Sequence, residues 1–454
     1  VKLRVEKAVY GGAGLAHIPR DESPDSDPRL AGKTVFIPYA LPGELVEAHI
    51  VDDRRGFSTA ELDRVIEPAS ERVSPHCEYF PVCGGCQYQQ ASAQHQLQIK
   101  LDILRDTLGR AHLQQFRAQS PGESVINIGA TASSPWSYRN RIRLHIASAS
   151  GADGPTLCYR ERGSHANLPV THCPIAAPVL EQAIAAVLRM GKNNGLARLS
   201  DEIEFFTNGE GDQLLISLWT ARPESLNFAE LLRDFAGQLQ SQLPMLTGLG
   251  VFSPGERGDE LLTHWGQRSL LYTVAGHAYR VSLGSFFQVN RFLLHDLLKL
   301  VVENGSGAGR SGQLAWDLYA GVGLFTLALG FEQVIAVEAA PLPAADLEQN
   351  LAGTPHRAVR STALDFLRAQ CRRRPRVQPG LILLDPPRAG LGKEACEHLA
   401  EIAAPEIVYV SCDPATLARD LQTLLHSGYR IESLHLVDLF PQTFHLESVA
   451  VLKR

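Results

Sequence analysis

The sequence predicts an α/β protein of three domains: an OB-like β-barrel, a strand-rich centre and a C-terminal doubly wound sheet. Three observations carry this. From about residue 284 onward, apolar strands alternate with helical segments, the order of a doubly wound sheet. Residues 1–68 hold short alternating segments split by turn signals. The chain has 454 residues, too many for one typical core.

Taken in order, KLRVEKAVY, KTVFIPYA, ELVEAHIVDD and FSTAELDRVI are the barrel strands, and about five such strands suit an OB-like fold. PRDESPDSDPRLAG is polar and Pro-rich, a loop. Residues 69–92 form a cysteine segment. AQHQLQIKLDILRDTLGRAH predicts a helix over 93–112, with Leu97, Leu101, Leu104 and Leu108 on one face. Residues 127–283 are strand-rich, with PVLEQAIAAVLRMGK a helix among SYRNRIRLHIA, EIEFFTN, DQLLISLWTA and AYRVSL. The third domain takes 93–126 and 284–454, including LAWDLYAG, VIAVEA, LILLDPP, KEACEHLAEIA, IVYVSC, PATLARDLQTLLHSG and a final strand in HLESVAVLKR.

Charged residues at 20% and hydrophobic ones at 44% match an ordinary globular protein. The longest apolar runs fall far short of the roughly 20 residues of a membrane span. VKLRVEKAVYGGAG carries no signal-peptide core. A cytoplasmic monomer with no membrane contact is the expectation. The net charge of −6 argues against broad nonspecific nucleic-acid binding, though not against a local basic surface.

WDLYAGVGLFTLAL follows a strand and opens a helix in this reading, with Gly321 and Gly323 in the turn. Glycine there lets backbone approach a ligand. A dinucleotide fingerprint wants a third glycine where Thr326 stands. VIAVEAA ends in Glu338, placed to accept ribose hydroxyls. Such a turn suits S-adenosylmethionine. Asp385 ends the apolar strand of LILLDPPRAGL, and Pro386 and Pro387 stiffen its exit. Amino-group methyltransferases often carry a similar motif.

Cys412 lies one strand after Asp385, at the same sheet edge, and precedes a helix entered through Asp413 and Pro414. A helix N-terminus lowers a thiol pKa, so the position favours thiolate. Glu447 starts the final strand and can share the crevice if that strand inserts beside the Cys412 strand. These residues suggest a chemistry. Carbon 5 of uracil takes a methyl group once a thiolate has added at carbon 6; a base then removes the carbon 5 proton and the thiol leaves. Cys412 fits the first role and Glu447 the second.

Of eight cysteines, Cys77, Cys83 and Cys86 form C-x5-C-x2-C, and Cys173 in THCPI is a distant fourth. Four thiolates suit zinc or a [4Fe–4S] cluster, and spacing alone does not choose. Arg139, Arg141 and Arg143 recur at period 2. With Arg160, Arg162, His165, Tyr138 and Tyr159 they suit RNA phosphates and stacked bases.

DLYAGVGLFTLAL, AVEA, LLDPPRAG, VYVSCDPATLARD and LFPQTFHLESV, in this order, resemble the RNA uracil-5-methyltransferase family. HCEYFPVCGGCQYQ, GSFFQVN and a TRAM-like barrel extend the resemblance over nearly the whole chain. It implies a Rossmann-like class I methyltransferase domain, with Cys412 as nucleophile and Glu447 as base. It implies cofactor contacts from Gln288, Tyr319, Gly321, Glu338 and Asp385, with Asp365 a candidate on the adenine side. It favours a [4Fe–4S] cluster on Cys77, Cys83, Cys86 and Cys173, as in the 23S ribosomal RNA branch; the transfer-RNA branch generally lacks it. Two departures stand out: Leu324 replaces the Asn of GxGNF, and SCDP replaces the commoner SCNP. The expected activity is methylation of a uridine in 23S ribosomal RNA. The alternatives are the transfer-RNA T-loop, a noncatalytic RNA-binding or chaperone protein, and a metal-dependent repair enzyme.

Overall fold

A computed structural model describes residues 1–19, 31–111, 113, 127–148, 155–191, 195–221, 227–255, 258–305 and 314–454. Most of the loop read at PRDESPDSDPRLAG, and residues 114–126, lie outside the described residues.

The N-terminal sheet has six strands and curls on itself. Lys2–Arg4 pairs with Leu45–Glu47, and a few residues on Lys7–Ala8 pairs with Gly14–Leu15, so one stretch of chain joins both edges. Its alternating residues, among them Leu3, Val35, Ile37, Val46 and Ala48, fill a separate small core. The central sheet has seven strands, with Arg141–Ser148 between Pro155–Arg160 and Glu202–Thr207. The helices Pro178–Arg189 and Phe228–Gln240 bury their apolar faces in its core.

The C-terminal sheet has eight strands. Their order is Arg357–Arg360, Gln333–Glu338, Leu314–Leu318, Leu381–Leu384, Glu406–Ser411, Glu447–Lys453, Arg430–Val437 and Ile128–Thr131. The first five run parallel. The last strand of the chain inserts antiparallel between Glu406–Ser411 and Arg430–Val437. The chain leaves Leu314–Leu318 to one side and later returns on the other, which makes a topological switch point at that strand's C-terminal end. Ile128–Thr131 pairs with Arg430–Val437. These four residues, read with the centre, join the C-terminal sheet at its edge.

Two further readings change. The glycine turn after Leu318 opens into successive turns over 321–329, not a helix. Left-handed backbone at Tyr319, Gly321 and Gly323 interrupts helical propagation before it can start. The helix Ala93–Arg110 forms, but its buried face is centred on Gln96, Ile99, Lys100, Ile103 and Leu104, with Leu97 and Leu101 at the edge. Two polar residues are buried there because they hold another segment. Lys100 Nζ donates to Asp438 Oδ1 at 2.6 Å and to the Phe440 carbonyl at 2.9 Å. Gln96 Oε1 accepts the Gln442 amide at 2.8 Å, and its NH2 group donates to Gln442 Oε1 at 3.0 Å.

Lys100 and Asp438 are both buried. Lys100→Ala should therefore lower stability by about 3–5 kcal/mol, because it strands a buried carboxylate. The double variant Lys100→Met/Asp438→Leu should recover most of that loss. Urea denaturation of the three proteins checks both; a single variant as stable as the parent would remove the pair from this role.

Candidate active site

Strand register builds the site. Ser411 pairs with Ser448, so the next step sets Cys412 opposite Glu447. Leu384 pairs with Tyr409 and with Leu318, which brings Asp385 and Tyr319 to the same sheet edge. Gln288 Nε2 approaches Asp385 Oδ2 at 3.4 Å. Asn140 fixes Gln288 by donating to its carbonyl at 2.9 Å. Cys412, Glu447, Asp385 and Gln288 thus come together from segments far apart in the chain.

The crevice is acidic and poorly solvated. Glu447 is buried, and burial with the nearby Asp385 carboxylate raises its pKa well above the usual range, while Arg388 opposes. Burial, Asp317 and Glu338 push Asp385 up to about 7. Burial also pushes Asp317 to about 7, even though Thr326 Oγ1 donates to its Oδ2 at 2.5 Å. Asp317 Oδ1 has no partner.

The thiol differs from the sequence expectation. Burial pushes Cys412 up to about 12, with Glu447 and Asp385 adding and Arg388 opposing. The helix Pro414–His426 does not offset this, because Asp413 occupies its end: the amides of Ala415 and Thr416 donate to Asp413 Oδ1 at 3.0 and 2.9 Å. The folded chain without ligands therefore holds Cys412 as a thiol.

The glycine turn faces open space. Gly321 has φ +57, and a Cβ built there meets nothing within 4 Å. Glu338 Oε2 accepts the Gly321 amide at 2.9 Å and Oε1 the Ala340 amide at 2.7 Å. Leu324 is buried, and its carbonyl accepts the Tyr279 hydroxyl. Asp365 is exposed in the first turn of the helix Ala363–Arg372 and pairs with Arg368.

Three residues escaped the sequence reading. Tyr10, from the N-terminal barrel, donates to the Cys412 carbonyl at 3.2 Å and meets the Phe444 ring edge-on at 5.3 Å. Arg388 lies against the His445 ring at 3.2 Å. Burial lowers His445 to about 4, so the ring is neutral and accepts the guanidinium. Arg388 stood in the DPPR motif and was findable there. Tyr10 and His445 acquire their places only through contacts across the fold.

Cys77, Cys83, Cys86 and Cys173 line one cavity of about 50 Å³, with Tyr159, Arg139 and Gln89 in its wall. Burial pushes Cys86 up to about 12 and Cys173 to about 11, and it raises Cys83. A second group, Cys371, His398 and Glu401, brings three ligand atoms within 4.8 Å of one another. Arg376 already pairs with that Glu401.

The expected RNA face is largely occupied from within. Tyr138 is fully buried and donates to the Pro441 carbonyl at 3.0 Å. Tyr159 lines the cysteine cavity with Cys173. Arg141 pairs with Glu204 and lies 4.1 Å from the Phe206 ring centroid; Arg143 pairs with Glu202 and lies 3.8 Å from that of Trp219. Arg160 donates to the His165 carbonyl and to Asn167. Sequence periodicity placed these side chains together, but carboxylates and aromatic rings on neighbouring strands claim them. Arg162 stays exposed.

Comparison with known proteins agrees with this architecture. Residues 127–454 match the family model described as tRNA (Uracil-5-)-methyltransferase, and residues 1–62 match the TRAM domain. An uncharacterized RNA methyltransferase of Aquifex aeolicus is 31% identical over 100% of this chain and 98% of its own. The 23S rRNA (uracil(1939)-C(5))-methyltransferase RlmD of Alkalilimnicola ehrlichii is 31% identical over 100% of this chain and 96% of its own. The crystal structure of a Pyrococcus abyssi tRNA (uracil-54, C5)-methyltransferase shares the fold. It has a TM-score of 0.71 and 19% identity over 99% of this chain and 100% of that one.

The raised pKa makes a direct prediction. Below about 12, Cys412 is mostly protonated. Its alkylation by iodoacetamide in the ligand-free protein should be slow at pH 8 and rise about tenfold per pH unit to beyond pH 10. Peptide mass spectrometry at Cys412 reads this, and a rate already at its plateau at pH 8 would contradict it.

Proposed function

Because this chain belongs to the tRNA (uracil-5-)-methyltransferase family, we propose that it methylates carbon 5 of a uridine in 23S ribosomal RNA. The observation that carries this is the register of the last strand, which sets the Glu447 carboxylate opposite the Cys412 thiol beside Asp385 and Gln288. The choice of 23S RNA is supported by the RlmD relatives, near 30% identical over the whole chain.

S-adenosylmethionine fits the crevice and, when bound, supplies an electrophilic methyl group on a cationic sulfur. The open space at Gly321 and the unpartnered Asp317 Oδ1 support that fit. Gln288, Tyr319, Gly321, Glu338 and Asp385 would hold it, and the excess of carboxylates suits its positive charge. Cys412 ionises more readily once a cation stands against those carboxylates. Its thiolate adds to carbon 6 of the uracil and makes carbon 5 nucleophilic. After methylation Glu447, in its carboxylate form, takes the proton from carbon 5, and the Cys412–carbon 6 bond breaks. The target base must leave any helical stack to bring its carbon 6 to the half-buried Cys412 thiol.

Four thiolates around one cavity suit a [4Fe–4S] cluster, the group that the family resemblance favours over zinc. Cys77, Cys83, Cys86 and Cys173 would each bind one iron, and their thiolates would form on metal binding.

Three outcomes test the proposal. Cys412→Ala should abolish methyl transfer to 23S RNA and leave S-adenosylmethionine binding intact; retained turnover would remove Cys412 as nucleophile. Glu447→Gln should accumulate a covalent protein–RNA adduct visible on a denaturing gel, and its absence would count against Glu447 as base. Protein purified without oxygen should be brown and contain iron and acid-labile sulfide. A colourless, zinc-loaded protein would end the cluster assignment.

A further inference from the structure

A groove of about 480 Å³ lies where the N-terminal barrel, the cysteine segment and the turn after Arg160 meet. It is separate from the crevice that holds Cys412. Tyr39 and Phe80 stand in its wall edge-to-face, with ring centroids 4.9 Å apart. The Tyr39 hydroxyl donates to the Pro81 carbonyl at 2.7 Å. Tyr39 also has φ +65, unusual for a residue other than glycine. The ring is thereby held from both ends. The exposed Arg162 guanidinium lies 5.2 Å from the Tyr39 ring centroid.

Gln90 is in the same wall. It is 1% exposed, yet neither its amide oxygen nor its amide nitrogen has a partner. A buried amide left unpaired on both sides is uncommon and calls for an explanation. An amide offers one donor and one acceptor in one plane, the complement of an adenine edge. Glu61 and Glu161 also line the groove. Carboxylates there repel phosphate and accept hydrogen bonds from a base amino group.

We infer that this groove is a second RNA site, which takes an unpaired adenine of the substrate away from the target uridine. Tyr39 and Arg162 supply the planes on which single-stranded bases stack, and Gln90 reads the edge after a side-chain rotation into the groove. The inference rests on the reading of the chain as an RNA methyltransferase. RNA is favoured over a protein partner because an unpaired buried amide, an exposed guanidinium and two aromatic rings gather in this wall, beside Leu62, Val82 and the prolines Pro38, Pro75 and Pro81.

The test uses the full-length protein, fluorescently labelled oligo(rA) and oligo(rU), and a 23S RNA fragment. The parent should bind oligo(rA) more tightly than oligo(rU). Gln90→Leu and Arg162→Ala should each weaken oligo(rA) binding about 5- to 100-fold. Each should raise KM for the 23S fragment without lowering kcat. Gln90→Leu removes an unpaired buried amide, so its melting temperature should hold or rise; a purely structural Gln90 would not separate stability from RNA affinity. Arg162 is exposed and keeps the test alive should Gln90→Leu misfold. Oligo(rA) affinity and KM unchanged in both variants would overturn the inference and leave the groove to a protein partner or to no ligand. Failure of the parent to methylate 23S RNA would count against the proposed function, while the oligonucleotide comparison would still decide the groove.

Discussion

The segment Asp438–Leu446 has to be held still, because it delivers Glu447 to the start of its strand. Several of its polar groups are tied to distant parts of the chain. Lys100 holds Asp438 and the Phe440 carbonyl. Asn290 donates to the Leu439 carbonyl, and Tyr138 to that of Pro441. Gln442 takes left-handed backbone with φ +70, and its carbonyl accepts the amides of Gln87 and Tyr88. Gln87 Oε1 accepts the Phe444 amide. The base proposed at Glu447 gains from such a frame because small displacements of a reacting atom are costly in rate.

That frame also links the domains. Gln87 and Tyr88 directly follow Cys86, so the cysteine cavity and the Glu447 segment share one short stretch of backbone. Tyr10 reaches from the barrel to the Cys412 carbonyl. The barrel is therefore more than an appended RNA module, since it touches the backbone of the proposed nucleophile.

Electrostatics gives the crevice its second character. Asp317, Asp385 and Glu447 all have raised pKa values, from burial first and from nearby carboxylates second: Glu338 acts on Asp317, Asp317 and Glu338 on Asp385, and Asp385 on Glu447. The same surroundings hold the thiol protonated. A cation bound against these carboxylates favours the ionised forms of both the carboxyls and the half-buried Cys412 thiol. The helix end that would otherwise favour thiolate is occupied by Asp413, the residue at which this chain departs from the commoner SCNP.

Most of the alternation of strands and helices, the order of motifs and the residue types that carry the chemistry were legible in the linear string, while the segment after the glycine turn forms turns where the pattern predicts a helix. Period, turn residues and strand ends are local properties, and local properties survive in a linear string. Cys412, Asp385 and Glu338 were legible because each closes a strand of an open α/β sheet, where ligands bind. Tertiary structure decided the rest. Pairing of Glu447 with Cys412 depends on insertion of the last strand. Gathering Cys173 with three cysteines almost a hundred residues upstream depends on the central sheet. The ionisation of Cys412 depends on carboxylates from other strands, and the fate of Arg141 and Arg143 on partners across the sheet. Each is a matter of which groups come within a few ångströms, and hydrogen bonds, desolvation and charge act over that distance rather than along the chain.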